Sequence, residues 1–312
     1  MKWIIDTDIG DDIDDLYALG YAIATGFDLL GITTVFRSCE LRAKLAKYAS
    51  LRFGKDIPVY AGEDLPINTP VDAYCKPQRW LSEDLYQKYL ENGEKWLPQM
   101  LDEAYNMQIE SLSAVDFMGE CVKKYGEELG IIAIGPLTNL ARAIQKYPEE
   151  MNRVGAFYVM GGDTTNLKPE WNAKNDIDAY KIVYSSKVKK YAVGSDQTWM
   201  NAGFDYDYTL KGLTSSTSAL NLEKDSLIKW KQQPLYTTKN PCMHDVIVLD
   251  SIINAEEYIF EKKFIKVITE GEFKGVTMPV QDEKECDGVV HVLTKMCEEK
   301  FKNNFVSAMK KL

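Results

Sequence analysis

The chain is poor in histidine, in positive charge and in long apolar runs, and each shortage removes a class of function. Only two of its 312 residues are histidines, His244 and His291, and its six cysteines (Cys39, Cys75, Cys121, Cys242, Cys286, Cys297) fall at no paired spacing. That excludes a zinc site of clustered Cys and His and a disulfide framework, and leaves free thiols in a reduced, cytoplasmic setting as the expectation. Lysine and arginine total 37 against 47 acidic residues, a formal charge of −10. Nucleic acid, whose phosphates require a basic surface, is therefore not an expected partner. Nor is a membrane, since no apolar stretch approaches the roughly 18 residues of a spanning helix. The N-terminus enters a strand pattern at once, so no signal peptide is expected.

What is abundant is aspartate, in one place. Asp6-Thr7-Asp8-Ile9-Gly10-Asp11-Asp12-Ile13-Asp14-Asp15 holds six aspartates in ten residues. The apolar run Trp3-Ile4-Ile5 leads in, and helically spaced Leu16, Ala18, Leu19 and Ile23 lead out. The pattern predicts strand, acidic turn and helix, with Gly10 freeing the backbone to turn. Carboxylates crowded at a strand end repel one another unless a cation or protons offset them. Hard oxygen donors suit Ca²⁺ or Mg²⁺. The plainer alternative is a solvated acidic loop. Asp14 and Asp15 also stand where a helix begins, at its positive end.

Further along, apolar β-rich runs alternate with helical patterns. Strands are expected at 29–36, 57–62, 131–134, 154–162, 190–194 and 264–269. Helices are expected at about 39–53 and 113–125, with a closing helix at about 288–301. Thr138 or Asn139 is placed to cap the helix after Gly135-Pro136-Leu137. Residues 64–113 break the rhythm with Trp80, Tyr86, Tyr89, Trp96 and Tyr105, and read as an irregular and helical insertion, either a lid or a surface elaboration. No repeat, low-complexity tract or linker divides the chain. The expected fold is a single α/β domain over 1–312, with an open, mostly parallel, Rossmann-like sheet flanked by helices. Polar residues follow the strands directly (Asp6 and Asp8, Thr138 and Asn139, Gly161 to Asp163, Asp196), which places the site at the carboxyl strand ends.

In order along the chain stand Asp6-Thr7-Asp8-x-Gly10 with the later pair Asp14-Asp15, Ile134-Gly135-Pro136-Leu137-Thr138-Asn139-Leu140-Ala141, Met160-Gly161-Gly162, Glu170-Trp171-Asn172 and His244-Asp245. This series resembles the inosine–uridine-preferring nucleoside hydrolase family over nearly the whole length. The resemblance implies hydrolysis of ribonucleosides to free base and ribose, with Ca²⁺ as cofactor and a homodimer or homotetramer as the assembly. It carries Asp8, Asp15, the Thr138 carbonyl and Asp245 over as metal ligands, within the about 6–8 oxygens that Ca²⁺ takes. It makes Asp8 the general base toward water and Asp6 the residue that orients the ligands from behind. Asp14, Asn166, Glu170 and Asn172 match ribose-binding positions, and His244 the histidine that protonates the departing base. Trp230 and Tyr236, upstream of His244, are placed to stack on the base or to pack between helices. His291 has no such company and reads as structural.

Three departures from the family pattern stand out. The acidic turn is two residues longer than the common form, which leaves Asp11 and Asp12 without a role. Arg37-Ser38 replaces the usual Gly-Asn after the second strand, so Ser38 is carried as a substrate contact with an added positive charge beside it. The 64–113 segment has no histidine. Two other readings compete. One is a haloacid-dehalogenase-like Mg²⁺ phosphatase, disfavoured by Gly10 two residues after Asp8. The other is a non-catalytic Ca²⁺-dependent nucleoside- or sugar-binding protein.

Overall fold

Strands form where Ile, Val and Leu are densest, and their two faces are buried by different helices. The structure, a computed structural model, describes residues 1–68, 97–212, 217–233 and 235–312. Strand β1 (Lys2–Thr7) sends Ile4 into one apolar cluster and Ile5 into the other, as a strand covered on both sides must. Parallel neighbours β2 (Leu29–Thr34) and β4 (Leu129–Ala133) flank it. Beyond β2 lies β3 (Val59–Ala61), and beyond β4 lie β5 (Ala156–Met160) and β6 (Lys190–Val193), all parallel. Among the described residues nine strands form one sheet in the order β3-β2-β1-β4-β5-β6-β9-β7-β8, which ends in β7 (Tyr258–Val267), β8 (Thr277–Val280) and β9 (Gly288–Met296).

Helices α1 (Asp14–Thr25), α2 (Cys39–Arg52), α10 (Ser218–Gln232), α11 (His244–Ile253) and α12 (Glu298–Met309) cover the Ile5 face. Helices α3 (Ala114–Tyr125), α4 (Thr138–Lys146) and α7 (Ile177–Ser185) cover the Ile4 face. Shorter helices α5 (Pro148–Met151), α6 (Trp171–Asn175), α8 (Ser195–Asn201) and α9 (Tyr206–Gly212) fill the connections. Chain connections leave β1 and β4 in opposite directions, so their carboxyl ends open a crevice at the switch point of the sheet.

Three expectations need correction. Residues 288–296 form strand β9, not part of a closing helix, which starts only at Glu298. Val290 and Val292 alternate into the core while β9 pairs in parallel with β6 and antiparallel with β7. The period is two, and β-branched residues fill it. Strand β7 begins at Tyr258, ahead of the expected 264, and β8 has no counterpart in the sequence pattern. Finally, Leu137 occupies the N-cap of α4, with no side-chain cap. Thr138 donates instead to Asp176 Oδ2 at 2.7 Å, and Asn139 to Asp6 Oδ1 at 2.7 Å.

The acidic turn is braced from two sides. Gly10 has φ of 114°, and a Cβ there would fall 2.5 Å from the Leu97 side chain. The backbone of Gln99 donates to Gly10 O at 3.0 Å, and its amide donates to Asp11 O at 2.9 Å and Asp12 O at 2.7 Å. The end of the 64–113 segment is therefore part of the turn's support. Trp80, Tyr86, Tyr89 and Trp96 lie outside the described residues. From the other side comes Arg42 of α2, which is buried. Its guanidinium donates to Asp8 O, to Ile9 O at 2.9 Å and to Asp11 Oδ2 at 2.8 Å. The Nε donates to Phe36 O at 2.7 Å and Arg37 O at 3.0 Å. Phe36, Arg37 and Ser38 take left-handed backbone angles in succession (φ 69°, 50° and 46°), a conformation that side chains resist.

One cation thus ties the acidic turn to a strained segment. Replacing Arg42 by methionine leaves Asp11 and four carbonyls without their donor. The expected loss is about 3–5 kcal/mol of stability, read as a drop in denaturation midpoint. A change below about 1 kcal/mol would show that the turn holds without the guanidinium.

Candidate active site

Residues that directly follow β1 and β4, together with others from α1, β5, α6 and α11, line a cavity of about 440 Å³. Asp6 lies beneath it, fully buried, accepting from Thr33 Oγ1 at 2.6 Å and Asn139 Nδ2 at 2.7 Å. Burial pushes its carboxyl up to about 7 against the pull of those two bonds, and Oδ2 has no partner among the described residues. Asp8, two residues on, lines the cavity. A Cβ on Gly135 would come 2.9 Å from Asp8 Oδ1, so the Gly-Pro corner after β4 leaves the room that Asp8 occupies. Burial raises Asp8 to about 7, opposed by the Arg42 charge.

Asp14, Asp15 and Asp245 are the compact group. Each offers a carboxylate oxygen within 4.8 Å of the others, and all three are buried. Helix α1 presents the first two on its opening turn, and α11 presents Asp245 on its own. The Asp245 backbone N–H donates to Asp14 Oδ2 at 3.3 Å, and the Thr7 hydroxyl donates to Asp15 Oδ1. All three carboxyls are pushed well above the usual range, first by burial and then by neighbouring charge: Asp12 and Asp8 on Asp14, Asp8 and Asp14 on Asp15, and Asp14, Asp15 and Asp8 on Asp245. Arg42 acts on Asp8 and Asp15 but is already committed to the turn. Carboxylate oxygens alone, buried and mutually repelling, make a donor set that fits a hard metal ion. Asp14 belongs to that set, although sequence placed it only toward the sugar.

Thr138 is not among the residues lining the cavity, and its hydroxyl is turned to Asp176. The lining residue from this corner is Ile134, whose carbonyl accepts from Asn172 Nδ2 at 3.1 Å. Ser38 is also absent from the lining. It is buried at the start of α2, where the left-handed backbone leaves it as the N-cap without a side-chain cap bond.

The other predicted residues do converge. Glu170 caps α6, taking the N–H groups of Asn172 at 3.0 Å, Ala173 at 3.1 Å and Gly162 at 3.2 Å. Asn172 is buried beside it, with its amide also 3.3 Å from Met160 O. Asn166 lines the cavity, with its side-chain amide held by Asp163 Oδ2 at 3.1 Å. His244 opens α11 with Nδ1 2.5 Å from Thr198 Oγ1, and burial pushes the imidazole down to about 4. Trp230 and Tyr236 stack on each other, ring centres 4.4 Å apart. His291 lies on β9, paired with Tyr191.

Sequence reasoning missed several lining residues. Trp199 stands edge-on to the His244 ring, centres 4.5 Å apart, and is 65% exposed. Asp163 and Ser195 follow the ends of β5 and β6, and the polar signal after those strands marked the right places. Lys168, Lys174 and Lys239 bring positive charge to the lining, and no local pattern distinguishes them from surface lysines.

Known proteins share both the sequence and the fold. A profile described as inosine-uridine preferring nucleoside hydrolase matches residues 3–303. The probable uridine nucleosidase 2 of Oryza sativa subsp. japonica is 27% identical over 288 residues, 88% of this chain and 81% of that protein. Uridine nucleosidase 1 of Arabidopsis thaliana is 26% identical over 306 residues, 92% and 84% of the two chains. Among solved structures, a purine-preferring ribonucleoside hydrolase from Gardnerella vaginalis has the same fold, with TM-score 0.79 and 22% identity over 99% of this chain and 98% of its own. With the match running through every strand of the sheet and the cavity at its switch point, the chain belongs to the inosine-uridine preferring nucleoside hydrolase family, whose reaction is hydrolysis of the ribonucleoside N-glycosidic bond.

Proposed function

We propose that this protein is a Ca²⁺-dependent ribonucleoside hydrolase releasing free base and ribose. The observation that carries the reading is the meeting of Asp14, Asp15 and Asp245, buried, at one point beside Asp8. Asp8, Asp14, Asp15 and Asp245 would hold the ion, with the Thr138 carbonyl carried as a further ligand from the resemblance to the family. Ca²⁺, when bound, supplies the positive charge that keeps these carboxylates ionised and draws a pair of adjacent hydroxyls, such as a ribose diol, to the cavity floor.

The protein's own groups carry the rest. Asp8 takes the proton of the water that attacks the anomeric carbon, while Asp6 orients the strand end from behind. Positive charge grows on the ribose ring as the base departs, and Glu170, with Asn172 and Asn166, offers negative charge and amide dipoles toward it. These groups are held by backbone bonds before substrate arrives, so little reorganisation is needed. His244 meets the leaving base: Nδ1 is occupied by Thr198, which leaves Nε2 for the cavity. Eight carboxylates against three lysines line the cavity, which makes phosphate a poor co-substrate and favours water as acceptor. The relatives named above are a uridine nucleosidase and a purine-preferring hydrolase, so both pyrimidine and purine ribosides belong in the assay.

Free base and free ribose should form in equal amounts without added phosphate. Ribose 1-phosphate appearing only with phosphate would make the protein a phosphorylase. Elemental analysis of protein never exposed to chelator should find about one calcium per chain. Zinc or iron at that ratio, with no calcium, would remove the cofactor assignment.

Two substitutions separate the base from the leaving-group acid. Asp8→Ala should collapse turnover of every riboside, by at least the about 10²–10⁴-fold worth of a general base. His244→Ala should slow inosine or uridine strongly and p-nitrophenyl riboside little, because the phenolate leaves without a proton. Equal losses on both kinds of substrate would assign His244 to sugar positioning instead.

A further inference from the structure

The two aspartates that lengthen the acidic turn are used differently. Asp11 is neutralised by Arg42. Asp12 reaches the cavity lining beside Trp230, Tyr236 and Lys239. Its Oδ1 accepts two bonds, from the Ile13 N–H at 2.7 Å and from Trp230 Nε1 at 2.8 Å. Its Oδ2 accepts one, from the Tyr236 hydroxyl at 3.0 Å, and among the described residues no second donor reaches it. An ionised carboxylate has about four acceptor positions. Three are filled, and the residue is only half-buried, so the remaining one is available in the cavity.

The position of that acceptor identifies what it meets. The metal-fitting carboxylates and the Glu170–Asn172 pair account for a sugar. A planar base requires aromatic surface, and two of the aromatic side chains in the lining, Trp230 and Tyr236, are fixed in place by their bonds to Asp12. We propose that Asp12 reads the nucleobase: its Oδ2, seated beside Trp230 and Tyr236, accepts a hydrogen bond from a base N–H, so that efficient hydrolysis requires a base bearing such a donor. This rests on the hydrolase reading and adds a specificity-determining residue to it. The chemical reason is asymmetric. A base with an N–H completes the carboxylate, whereas a base without one leaves a desolvated anion short of a partner.

The isosteric change Asp12→Asn tests this with a defined geometry. Ile13 N–H and Trp230 Nε1–H both donate to Oδ1, so they fix the amide oxygen there and put the NH₂ group at the Oδ2 position. The cavity then meets a donor where it had an acceptor. Purine riboside, whose base carries no N–H at all, is the diagnostic substrate against inosine and adenosine. Asp12→Asn should lower kcat/KM at least about tenfold for inosine or adenosine, whichever the unmodified enzyme turns over, and change purine riboside by less than about threefold. Equal losses on all three would mean that Asp12 only holds Trp230 and Tyr236 in place, and would overturn the proposal.

A second measurement needs no variant. The unmodified enzyme should hydrolyse 1-methylinosine at least about tenfold less efficiently than inosine, and 3-methyluridine less efficiently than uridine. Undiminished kcat/KM for both methylated substrates also overturns the role of Asp12. Failure to hydrolyse any riboside, with calcium present, would instead defeat the hydrolase reading beneath it.

Discussion

Repulsion among buried carboxylates is the constraint on which the rest of this structure depends. Strand β1 carries Asp6 and is followed at once by Asp8, and α1 opens with Asp14 and Asp15, so the turn between them concentrates charge where little water can reach it. Burial raises the carboxyls at this point, and each charge raises its neighbours further. A fold can carry such a cluster only by supplying compensation within a few ångströms. Arg42 supplies it on one side, and hydrogen-bond donors from Trp230 and Tyr236 supply it on another. Between Asp14, Asp15 and Asp245 the protein supplies no side-chain cation among the described residues, and that is where an ion fits.

The six aspartates therefore divide by partner. Asp6 bonds to Thr33 and Asn139, and so joins the turn to β2 and α4. Asp11 goes to Arg42, and Asp12 to the two stacked aromatic rings. Asp8, Asp14 and Asp15 keep oxygen atoms facing the cavity. The longer turn places its extra pair at the edges, where both find partners from α2 and α10 and its far side, and the central carboxylates stay on the floor. Support for this arrangement also comes from the strained segment 36–38. Its left-handed backbone aims two carbonyls at Arg42, so α2 is locked to β1 through one guanidinium.

The rigidity of the sugar-facing wall follows the same logic of satisfied polar groups. Glu170 is a helix cap as well as a cavity carboxylate, and Asn172 ties α6 to the ends of β4 and β5. A residue that must stabilise developing charge gains from being fixed by backbone bonds, because no energy is then spent on reorienting it.

Local chemistry was sufficient to read much of this from sequence. The apolar run before Asp6, the helical spacing after Asp15 and the Gly-Pro corner at 135–136 each follow from short-range rules, and they place the site at the strand ends. Convergence of Asp8, Asp14 and Asp15 was legible because they stand directly after a strand or at a helix start, whereas Glu170, Asn172 and His244 were placed by the resemblance to the family. Assignments that depend on where a side chain or carbonyl points could not be read in this way. The Thr138 hydroxyl, at the start of α4, is turned to Asp176, and Ile134, with an apolar side chain, is the residue of this corner that lines the cavity. Ser38, after the neighbouring strand β2, is not among the lining residues. The Val-rich stretch at 289–293 fits a buried helix or a strand until a neighbour is known, and only pairing with β6 and β7 decides it. The sequence by itself determined which residues form the acidic floor, because their spacing along one strand and one helix is local. Tertiary structure decided the partners of Asp11 and Asp12, because those come from residues tens to hundreds of positions away, and packing alone brings them within hydrogen-bonding distance.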